Sequence, residues 1–331
     1  MAPYRVGIVG APGVLAKELI EALEARKLPL LPPRLLQAPA AALPAAGGGV
    51  GMIEFGDEAA LLEPFAPAQW SDLDALFLAG APADATAAWR QLAATKLLVA
   101  DLSGALAGEP EARLAGLDHA KSDGEGNRRL IAVAHPAAQA LALLLGRLSQ
   151  AGHLHAAATV FEPASQRGLA GIQELEQQTR RMFTMQAPPQ HVFGAQVAAN
   201  LRAQLGDGIQ PSLEDIRRQL VAQVAVLAPD APVPALRVLQ APIFHASAIS
   251  LYCRYAHDPS ADVLQRLLTS PWLDRNTPPD VFAAAGRDEI LLGPVQPDPA
   301  GGFWLFAVLD NLRRTAYAAA DAAAAVLPRR A

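Results

Sequence analysis

The sequence predicts an α/β protein whose N-terminal domain is built on a parallel sheet and whose second domain is of the α+β type. Short apolar runs alternate with helical segments through the first part of the chain, which is the pattern of βαβ units. Beyond that part the helices and the alternating strands become longer. The 331 residues suffice for two domains of roughly 100–200 residues each. We place the main boundary after residue 135.

The predicted elements of the N-terminal part follow from the spacing of their apolar residues. Residues 4–9 form an apolar run that contains glycine and is followed by glycine, as in a buried parallel strand. The next apolar residues recur at helical spacing up to Arg26. Two further buried strands are predicted at 74–78 and 98–101, with a helix over 82–95 between them.

The second part begins with a strand at 130–133 and a helix from Pro136 to Leu148, because proline suits the first turn of a helix. A strand over 247–256 places Ile249 and Cys253 on one face, which predicts a half-buried antiparallel strand. The remaining predicted elements are a loop over 37–51, a helix over 168–186, a helix capped by Ser212 and Asp215, a strand over 303–309 and a closing helix over 312–327.

Composition excludes several classes of protein. The net charge of −5 gives no sign of a nucleic-acid binder. The longest near-apolar stretch, residues 136–145, is far shorter than the ~20 residues of a membrane span. The N-terminus lacks the basic and apolar regions of a signal peptide. The single cysteine, Cys253, excludes an intramolecular disulfide and a multi-cysteine metal site. We expect a soluble, cytoplasmic protein without a metal.

A glycine-containing turn follows the first predicted strand. Gly10 and Gly13 allow a tight turn and a close approach of the backbone to a pyrophosphate, and Ala16 occupies the third position of the dinucleotide fingerprint. Such glycines can also serve the geometry of the turn alone. The position directly after a strand and before a helix favours dinucleotide binding, and the contacting residues would be Gly10, Ala11, Pro12, Gly13 and Val14.

The chain resembles the aspartate-semialdehyde dehydrogenase family over nearly its whole length. Seven segments carry the resemblance in order, at residues 6–13, 77–81, 101–105, 170–179, 193–200, 241–244 and 309–314. The resemblance implies a Rossmann domain over 1–135 that is rejoined by a C-terminal helix over 311–331, and a catalytic and dimerisation domain over 136–310. It also implies a homodimer and further cofactor contacts at Ala79, Gly80 and Asn311.

Members of that family reductively dephosphorylate β-aspartyl phosphate with NADPH. The reaction needs a thiolate nucleophile, a histidine that moves protons, and arginines that hold the anionic groups of the substrate. The position of the family's thiol is Ala138 in this sequence, and the position of its histidine is Ser247. The two arginine positions are Ala107 and Gln240. These replacements remove the nucleophile, the base and the anion grip together.

Two further positions differ from the family pattern. Glu162 stands where the family has a glutamine beside the thiol. A substrate-binding lysine is missing from the helix that starts at Ser212, where Arg217 and Arg218 would replace it in a shifted register. This set of losses resembles a cysteine-less paralogue branch of the family.

Several other side chains are candidates for the missing nucleophile, the missing base or a metal ligand. Cys253 lies in the middle of a strand, which favours a buried structural thiol. His245 fits a strand edge or the surface better than a catalytic role, and His135 beside Ala138 has a weaker claim to function than to structure. His153 and His155 lack a third ligand at metal-binding spacing. No Gly-x-Ser-x-Gly elbow supports a serine hydrolase.

The expected cofactor binding is weak. The family's cationic stretch for the 2′-phosphate of NADP should fall at residues 37–42, which contain no cation, and the acidic residue that binds the NAD ribose is also missing. We therefore expect weak NAD(P) binding or none. The favoured interpretation is a non-catalytic or repurposed homodimeric paralogue. The alternative is an active oxidoreductase of amino-acid biosynthesis that acts on an aldehyde or acyl substrate through unrecognised residues.

Overall fold

The structure, a computed structural model, describes residues 3–39, 51–55, 58–92, 94–117 and 129–327. The chain divides into two compact units. Unit one consists of the residues up to Ala134 together with those from Thr315 onward, and unit two consists of His135–Arg314.

Unit one is an α/β unit built on a largely parallel sheet. Among the described residues the sheet has eight strands, in the order β3-β4-β2-β1-β5-β6-β8-β7, and only the β3–β4 pair is antiparallel. The elements are β1 (Val6–Val9), α1 (Val14–Ala25), β2 (Arg34–Leu36), β3 (Gly51–Phe55), β4 (Glu58–Glu63), α2 (Pro67–Trp70), β5 (Ala75–Leu78), α3 (Pro82–Leu92), β6 (Leu98–Asp101), β7 (Ala112–Ala115) and β8 (Leu130–Val133).

The complete burial of the short strands of unit one explains why their sequences are unbroken apolar runs. All residues of β1, β5, β6 and β8 are buried, as expected of parallel strands that are covered on both faces. Helix α1 packs on them through Leu19 and Leu23, and the C-terminal helix contributes Tyr317 and a row of buried alanines to the same cluster. Arg26 and Asp321 form an ion pair that fastens this last helix to α1.

Unit two contains longer helices and a mixed sheet. Its elements are α4 (Pro136–Leu148), β9 (Leu154–Glu162), α5 (Gly168–Phe183), α6 (Leu213–Leu227), β10 (Ala235–Gln240), β11 (Ser247–Tyr255), α7 (Ala261–Leu267), β12 (Leu273–Asp274), α8 (Val281–Ala284), β13 (Ile290–Leu292), β14 (Gln296–Pro297), β15 (Phe303–Leu309) and the start of α9 (Asn311–Val326). The strand order is β10-β9-β11-β15-β13-β12, with β14 also paired to β15.

The sheet of unit two has one buried and one partly exposed face. Ile249, Leu251 and Cys253 of β11 are buried, as the alternation predicted. Helix α4 contacts α6 and β11, and α6 contacts β10, so these helices pack on the buried face. On the other face Trp304 and Phe306 of β15 remain 41% and 40% exposed.

The segment after α5 is held by two buried polar side chains. The Glu174 carboxylate accepts backbone N–H bonds from His191, Val192 and Phe193 at 2.7, 2.8 and 3.0 Å. Gln178 accepts from the N–H groups of residues 197 and 198 and donates to the carbonyls of residues 189 and 195. These bonds give a structural role to two polar residues of the 170–179 segment.

Several predicted boundaries need correction. The helix predicted over 168–186 ends at Phe183, and the helix predicted over 82–95 ends at Leu92. The predicted loop over 37–51 is irregular at residues 37–39, but Gly51 already begins β3, and residues 40–50 lie outside the described part of the chain. The short strands β3, β4 and β7 were not predicted. The capping box of Ser212 and Asp215 is confirmed.

Candidate functional site

The glycine turn of unit one follows β1 and leads into α1. It lies beside the end of β5, the parallel neighbour of β1. Gly10 has a φ of +105°, which a residue with a side chain rarely adopts. A Cβ atom at Gly10 would lie 2.5 Å from the backbone nitrogen of Gly80, and one at Gly13 would lie 2.7 Å from the carbonyl oxygen of Gly10. The turn is therefore built from backbone in close contact, directly before the free N–H groups of helix α1.

The residues that follow β5 are hydrogen-bonded to the end of β1. The N–H of Ala79 donates to the carbonyl of Val9 at 2.9 Å, and Gly80 follows it beside Gly10. Ala11 is buried, Pro12 is exposed, and Gly13 and Val14 are partly exposed. The N–H of Gly13 donates to the carbonyl of Gly10 at 2.9 Å, and no side chain caps helix α1 at Gly13, so the first-turn N–H groups of α1 are the donors that suit a phosphate group. The turn thus fits the pyrophosphate of a dinucleotide.

The other predicted cofactor contacts have less support from the structure than the glycine turn has. The described residues 37–39 contain no cation, and residues 40–42 of the predicted 2′-phosphate stretch lie outside the described part of the chain. Asn311 is 1% exposed in unit two. Its side-chain oxygen accepts from the Ser165 hydroxyl at 3.0 Å and from the Ala246 N–H at 3.2 Å, and its amide nitrogen donates to Gln166. Its contact with a cofactor stays a prediction.

The position that the resemblance assigns to the family's thiol lies at the start of helix α4. His135 is the N-cap, and its Nδ1 accepts the backbone N–H of Ala137 at 3.2 Å. Pro136 occupies the first turn, where its missing N–H costs nothing. Ala138 follows in the same turn and is fully buried. The free N–H end of a helix would lower the pKa of a thiol placed there, but a methyl group offers no nucleophile.

Three other substituted positions meet at one end of the sheet of unit two. Gln240 of β10 pairs directly with Glu162 of β9. The antiparallel pairing of β11 with β9 reaches Ala248 and Phe161 at this end, and Ser247 and Glu162 come one position beyond that pair. Because they are 1%, 2% and 0% exposed, respectively, Gln240, Glu162 and Ser247 belong to the buried side. We refer to His135, Ala138, Glu162, Gln240 and Ser247 as the substituted site.

Gln240 uses its side chain within the fold. Its amide nitrogen donates to the backbone carbonyl of Glu162 at 2.9 Å and to that of Ala241 at 3.2 Å. These bonds join the ends of β10 and β9. A side chain occupied in this way lacks both the charge and the free donors with which an arginine grips a carboxylate.

A histidine and a carboxylate face each other in the substituted site. His135 Nε2 lies 3.5 Å from Glu162 Oε2, too far for a good hydrogen bond. Because Nδ1 accepts a backbone N–H, the proton of a neutral imidazole sits on Nε2, toward the carboxylate. Gln223 supports the histidine by accepting its backbone N–H at 2.8 Å. Both Glu162 oxygens, His135 Nε2 and Ser247 Oγ are buried and have no hydrogen bond among the described residues.

Sequence reasoning missed Arg167 and Gln223. The Arg167 guanidinium donates to the carbonyls of Gln210 and Pro211 at 3.4 and 2.7 Å. Burial lowers the pKa of Arg167 from its ordinary value, and the charge of Glu162 opposes that shift. Two sequence signals could have identified these residues. Arg167 comes five residues after Glu162, and Gln223 is a polar residue on the apolar face of α6.

Cys253 lies far from the substituted site. It is six residues along β11 from Ser247, or about 20 Å of strand. The next inward residue, Tyr255, donates its hydroxyl to the carbonyl of Leu148 at the far end of α4. Burial raises the pKa of the Cys253 thiol to about 12. The predicted burial of this thiol is confirmed.

The other sequence candidates do not join the substituted site. Arg217 and Arg218 form ion pairs with Glu214 and Asp215 on the exposed side of α6. The rings of His153 and His155 lie 5.0 Å apart, edge to face. His245 is half-buried. Within the described ranges no group of three or more His, Cys, Asp and Glu side chains could hold a metal ion.

Ala107 lies in unit one, in a loop organised by a buried carboxylate. Asp101 accepts bonds from the N–H and hydroxyl of Ser103 and from the N–H of Leu106, at 2.9, 2.6 and 2.8 Å. Burial raises the pKa of the Asp101 carboxyl, against these hydrogen bonds. The short side chain of Ala107 adds no charge to the loop.

Among the helices of the described residues, none is long and apolar enough to span a membrane.

Comparisons with known proteins agree with this architecture. Residues 5–123 match the family model of the semialdehyde dehydrogenase NAD binding domain, and residues 145–314 match that of the semialdehyde dehydrogenase dimerisation domain. The predicted fold class, a Rossmann-type domain followed by a second domain with its own sheet, is confirmed.

Individual relatives cover almost the whole chain. A USG-1 protein homolog of Azotobacter vinelandii is 30% identical over 325 residues, which is 93% of each chain. An aspartate-semialdehyde dehydrogenase of Streptomyces akiyoshiensis is 25% identical over 94% of this chain and 95% of its own length. The crystal structure of aspartate semialdehyde dehydrogenase II from Vibrio cholerae superposes with a TM-score of 0.80 at 20% identity, covering 97% of this chain and 98% of its own. The chain therefore belongs to the aspartate-semialdehyde dehydrogenase family, with its USG-type branch among its relatives.

Proposed function

We propose that this protein is a non-catalytic or repurposed homodimeric member of the family, which acts by binding and does not catalyse the parent reaction. The observation that carries the proposal is Ala138 at the N-terminus of α4. The parent chemistry requires a thiolate that attacks the acyl carbon and expels phosphate, and a methyl group has no electron pair for that attack. Loss of a nucleophile costs on the order of 10⁶ in rate in a well-studied hydrolase.

The other replacements act in the same direction. Ser247 cannot exchange protons near neutral pH as a histidine does. Gln240 uses its amide nitrogen on two backbone carbonyls, and Ala107 has no charge to hold a phosphate. Each lost charge-assisted hydrogen bond to a substrate costs a further ~1.5–3 kcal/mol. A single replacement could be compensated, whereas this set removes three separate requirements of the reaction.

The geometry gives little support to an alternative catalyst. A nucleophile and its base should lie within hydrogen-bond reach of each other. In the described part of the chain Ser247 Oγ has no hydrogen-bond partner, and His135 Nδ1 accepts the backbone N–H of Ala137. Cys253 lies about 20 Å along the strand from Ser247. An active oxidoreductase on another aldehyde or acyl substrate would need residues outside this site.

Weak dinucleotide binding is part of the proposal. Gly10, Gly13, Gly80 and the N-terminus of α1 would hold the pyrophosphate, and their close backbone contacts support this role. A bound nicotinamide would supply hydride transfer. The missing cation at residues 37–39 argues against a preference for NADP. We expect NAD(P) to bind through its pyrophosphate without a strong contribution from the ribose phosphate.

The homodimer would form through the exposed face of the sheet of unit two. Trp304 and Phe306 point to this face, and the rings of Tyr252 and Trp304 lie 5.0 Å apart on it. Exposed aromatic residues that adjoin across strands mark interaction surfaces. The match of residues 145–314 to a dimerisation domain supports this assignment.

Intact-protein mass spectrometry tests the absence of covalent chemistry. The purified chain is incubated with β-aspartyl phosphate, and a cysteine-containing family member is treated in parallel as the positive control. The control should gain one aspartyl group as a thioester with release of phosphate, and this chain should gain none. A stoichiometric aspartyl adduct on this chain would refute the proposal.

A further inference from the structure

Glu162, His135 and Ser247 bury more polar atoms than their neighbours satisfy. Both carboxylate oxygens of Glu162, His135 Nε2 and Ser247 Oγ have no hydrogen bond to any residue that the structure describes. The three residues are 2%, 7% and 0% exposed. Buried polar side chains nearly always have partners, and an exception calls for a water, an ion or a ligand. The substituted site therefore retains an unmet hydrogen-bonding demand.

The charge of the site identifies the missing partner. An ionised Glu162 only accepts hydrogen bonds, and His135 Nε2 lies 3.5 Å from Glu162 Oε2. His135 Nδ1 accepts the N–H of Ala137, so Nε2 is the ring nitrogen that faces the carboxylate. A buried carboxylate is stable only when a charged or strong donor compensates it.

Arg167 does not meet this demand directly. Its charge acts on Glu162, but its guanidinium donates to the carbonyls of Gln210 and Pro211. Across the described ranges the Glu162 side-chain oxygens remain without a hydrogen bond despite that charge. A compact donor with a positive charge would complete the site, and an ammonium group has three donors and one charge.

We propose that the substituted site binds a small primary-ammonium compound, whose ammonium group donates to the Glu162 carboxylate and to Ser247 Oγ. The inference rests on the proposed function, because it requires a site that binds without forming a covalent bond. Replacement of the family's glutamine by Glu162 supplies the charge, and replacement of its histidine by Ser247 supplies a neutral acceptor. The site would thus have lost its arginine contacts to anionic groups and gained a carboxylate that accepts from a cationic group.

Two simpler occupants make different predictions. Ordered water would satisfy a carboxylate or an amide with similar ease, since water both donates and accepts. A metal cation such as K⁺ would need several oxygen ligands at once. An ammonium ligand differs from both occupants. Its binding depends on the charge of Glu162, and a monatomic cation does not reproduce it.

Calorimetry and thermal unfolding of the full chain, at constant ionic strength, test the proposal with methylammonium and ethanolamine as probes. KCl and inorganic phosphate are run beside them. Glu162→Gln restores the family's residue type, and Glu176→Gln removes an exposed carboxylate of α5 as the matched control. Either amine should raise the Tm of the wild type and the control. Glu162→Gln should weaken amine binding by about tenfold or more.

A second variant covers the case in which Glu162→Gln misfolds. Ser247→Ala deletes one acceptor and should weaken amine binding without abolishing it. Equal binding to wild type and Glu162→Gln, an equal effect of K⁺, or no binding of either amine would overturn the inference. A failure of this kind leaves the proposed function intact, because that proposal depends on the aspartyl adduct and not on amine binding.

Discussion

The imidazole Nε2 of His135 lies 3.5 Å from Oε2 of Glu162, where the sheet of unit two ends beneath the first turn of α4. The resemblance assigns the family's thiolate to the first turn of that helix, where this chain has Ala138. The Glu162 carboxylate, fixed on β9, faces the N-cap of the helix.

Restoring the thiol alone should not restore activity. Ala138→Cys returns the nucleophile to the N-terminus of α4, but Gln240, Ser247 and Ala107 still leave the substrate without its anion grip and base. We expect no phosphate-dependent NADPH formation from aspartate semialdehyde. A thiol titration of the variant serves as the control that the new cysteine is present. Recovery of turnover by this single change would show that the rest of the site is intact.

The same substitution at two buried glutamates should shift stability in opposite directions. Glu174→Gln weakens three N–H bonds to a carboxylate, and should cost about 2–3 kcal/mol of the free energy of unfolding. Glu162→Gln removes a buried carboxylate whose oxygens lack hydrogen bonds to the residues that the structure describes, and should leave the free energy of unfolding unchanged or raise it by about 1–2 kcal/mol. Urea unfolding of both variants measures the difference. A large loss with Glu162→Gln would mean that its carboxylate is already satisfied.

The Cys253 thiol should resist modification in the native protein. Its pKa is raised to about 12 by burial, so the reactive thiolate is scarce at pH 8. As pH rises the thiolate fraction increases, but it stays small below the raised pKa. A chromogenic disulfide reagent should react slowly with the folded chain and rapidly after unfolding in urea. Fast reaction at pH 8 without unfolding would contradict the assigned location.

The glycine turn should tolerate no side chain at Gly10. Gly10→Ala places a Cβ atom 2.5 Å from the Gly80 nitrogen in a backbone with φ +105°, and should cost about 2–3 kcal/mol. Gly108→Ala is the matched control, because a Cβ there meets nothing within 4 Å. Thermal unfolding compares the two variants. Equal stability would mean that the turn relaxes freely, and the proposed pyrophosphate contacts would lose their support.

The exposed sheet face should carry the dimer contact. Phe306→Glu places a charge in the middle of that face and should shift sedimentation toward a monomer. Val226→Glu, at a 64% exposed position on α6, should leave the oligomeric state unchanged. A wild-type monomer at micromolar concentration, or a dimer that survives Phe306→Glu, would contradict the assigned face.

The parts of the fold that could be predicted are those with a strong local pattern. The apolar runs of β1, β5 and β6 and the alternation of β11 were evident because burial on two faces or on one face leaves a clear period. The β3–β4 hairpin was missed because charged residues and glycine interrupt its short strands. Strand β7 was missed because its four residues are mostly half-buried.

The site could be predicted in part. The resemblance identified Ala138, Glu162, Gln240 and Ser247 as substituted positions, but their meeting depends on the pairing of β10, β9 and β11, which no local pattern specifies. The hydrogen bonding of Gln240 and the tautomer of His135 depend on backbone atoms distant in sequence or on the geometry of a cap. Sequence alone could not reveal them.

The steady-state assay of the wild-type chain tests the central claim most directly. Purified protein is mixed with aspartate semialdehyde, inorganic phosphate and either NADP⁺ or NAD⁺, with a cysteine-containing family member as the positive control. The account predicts that reduced cofactor forms no faster than in a blank without protein. Phosphate-dependent formation of NADPH or NADH above that blank would contradict it.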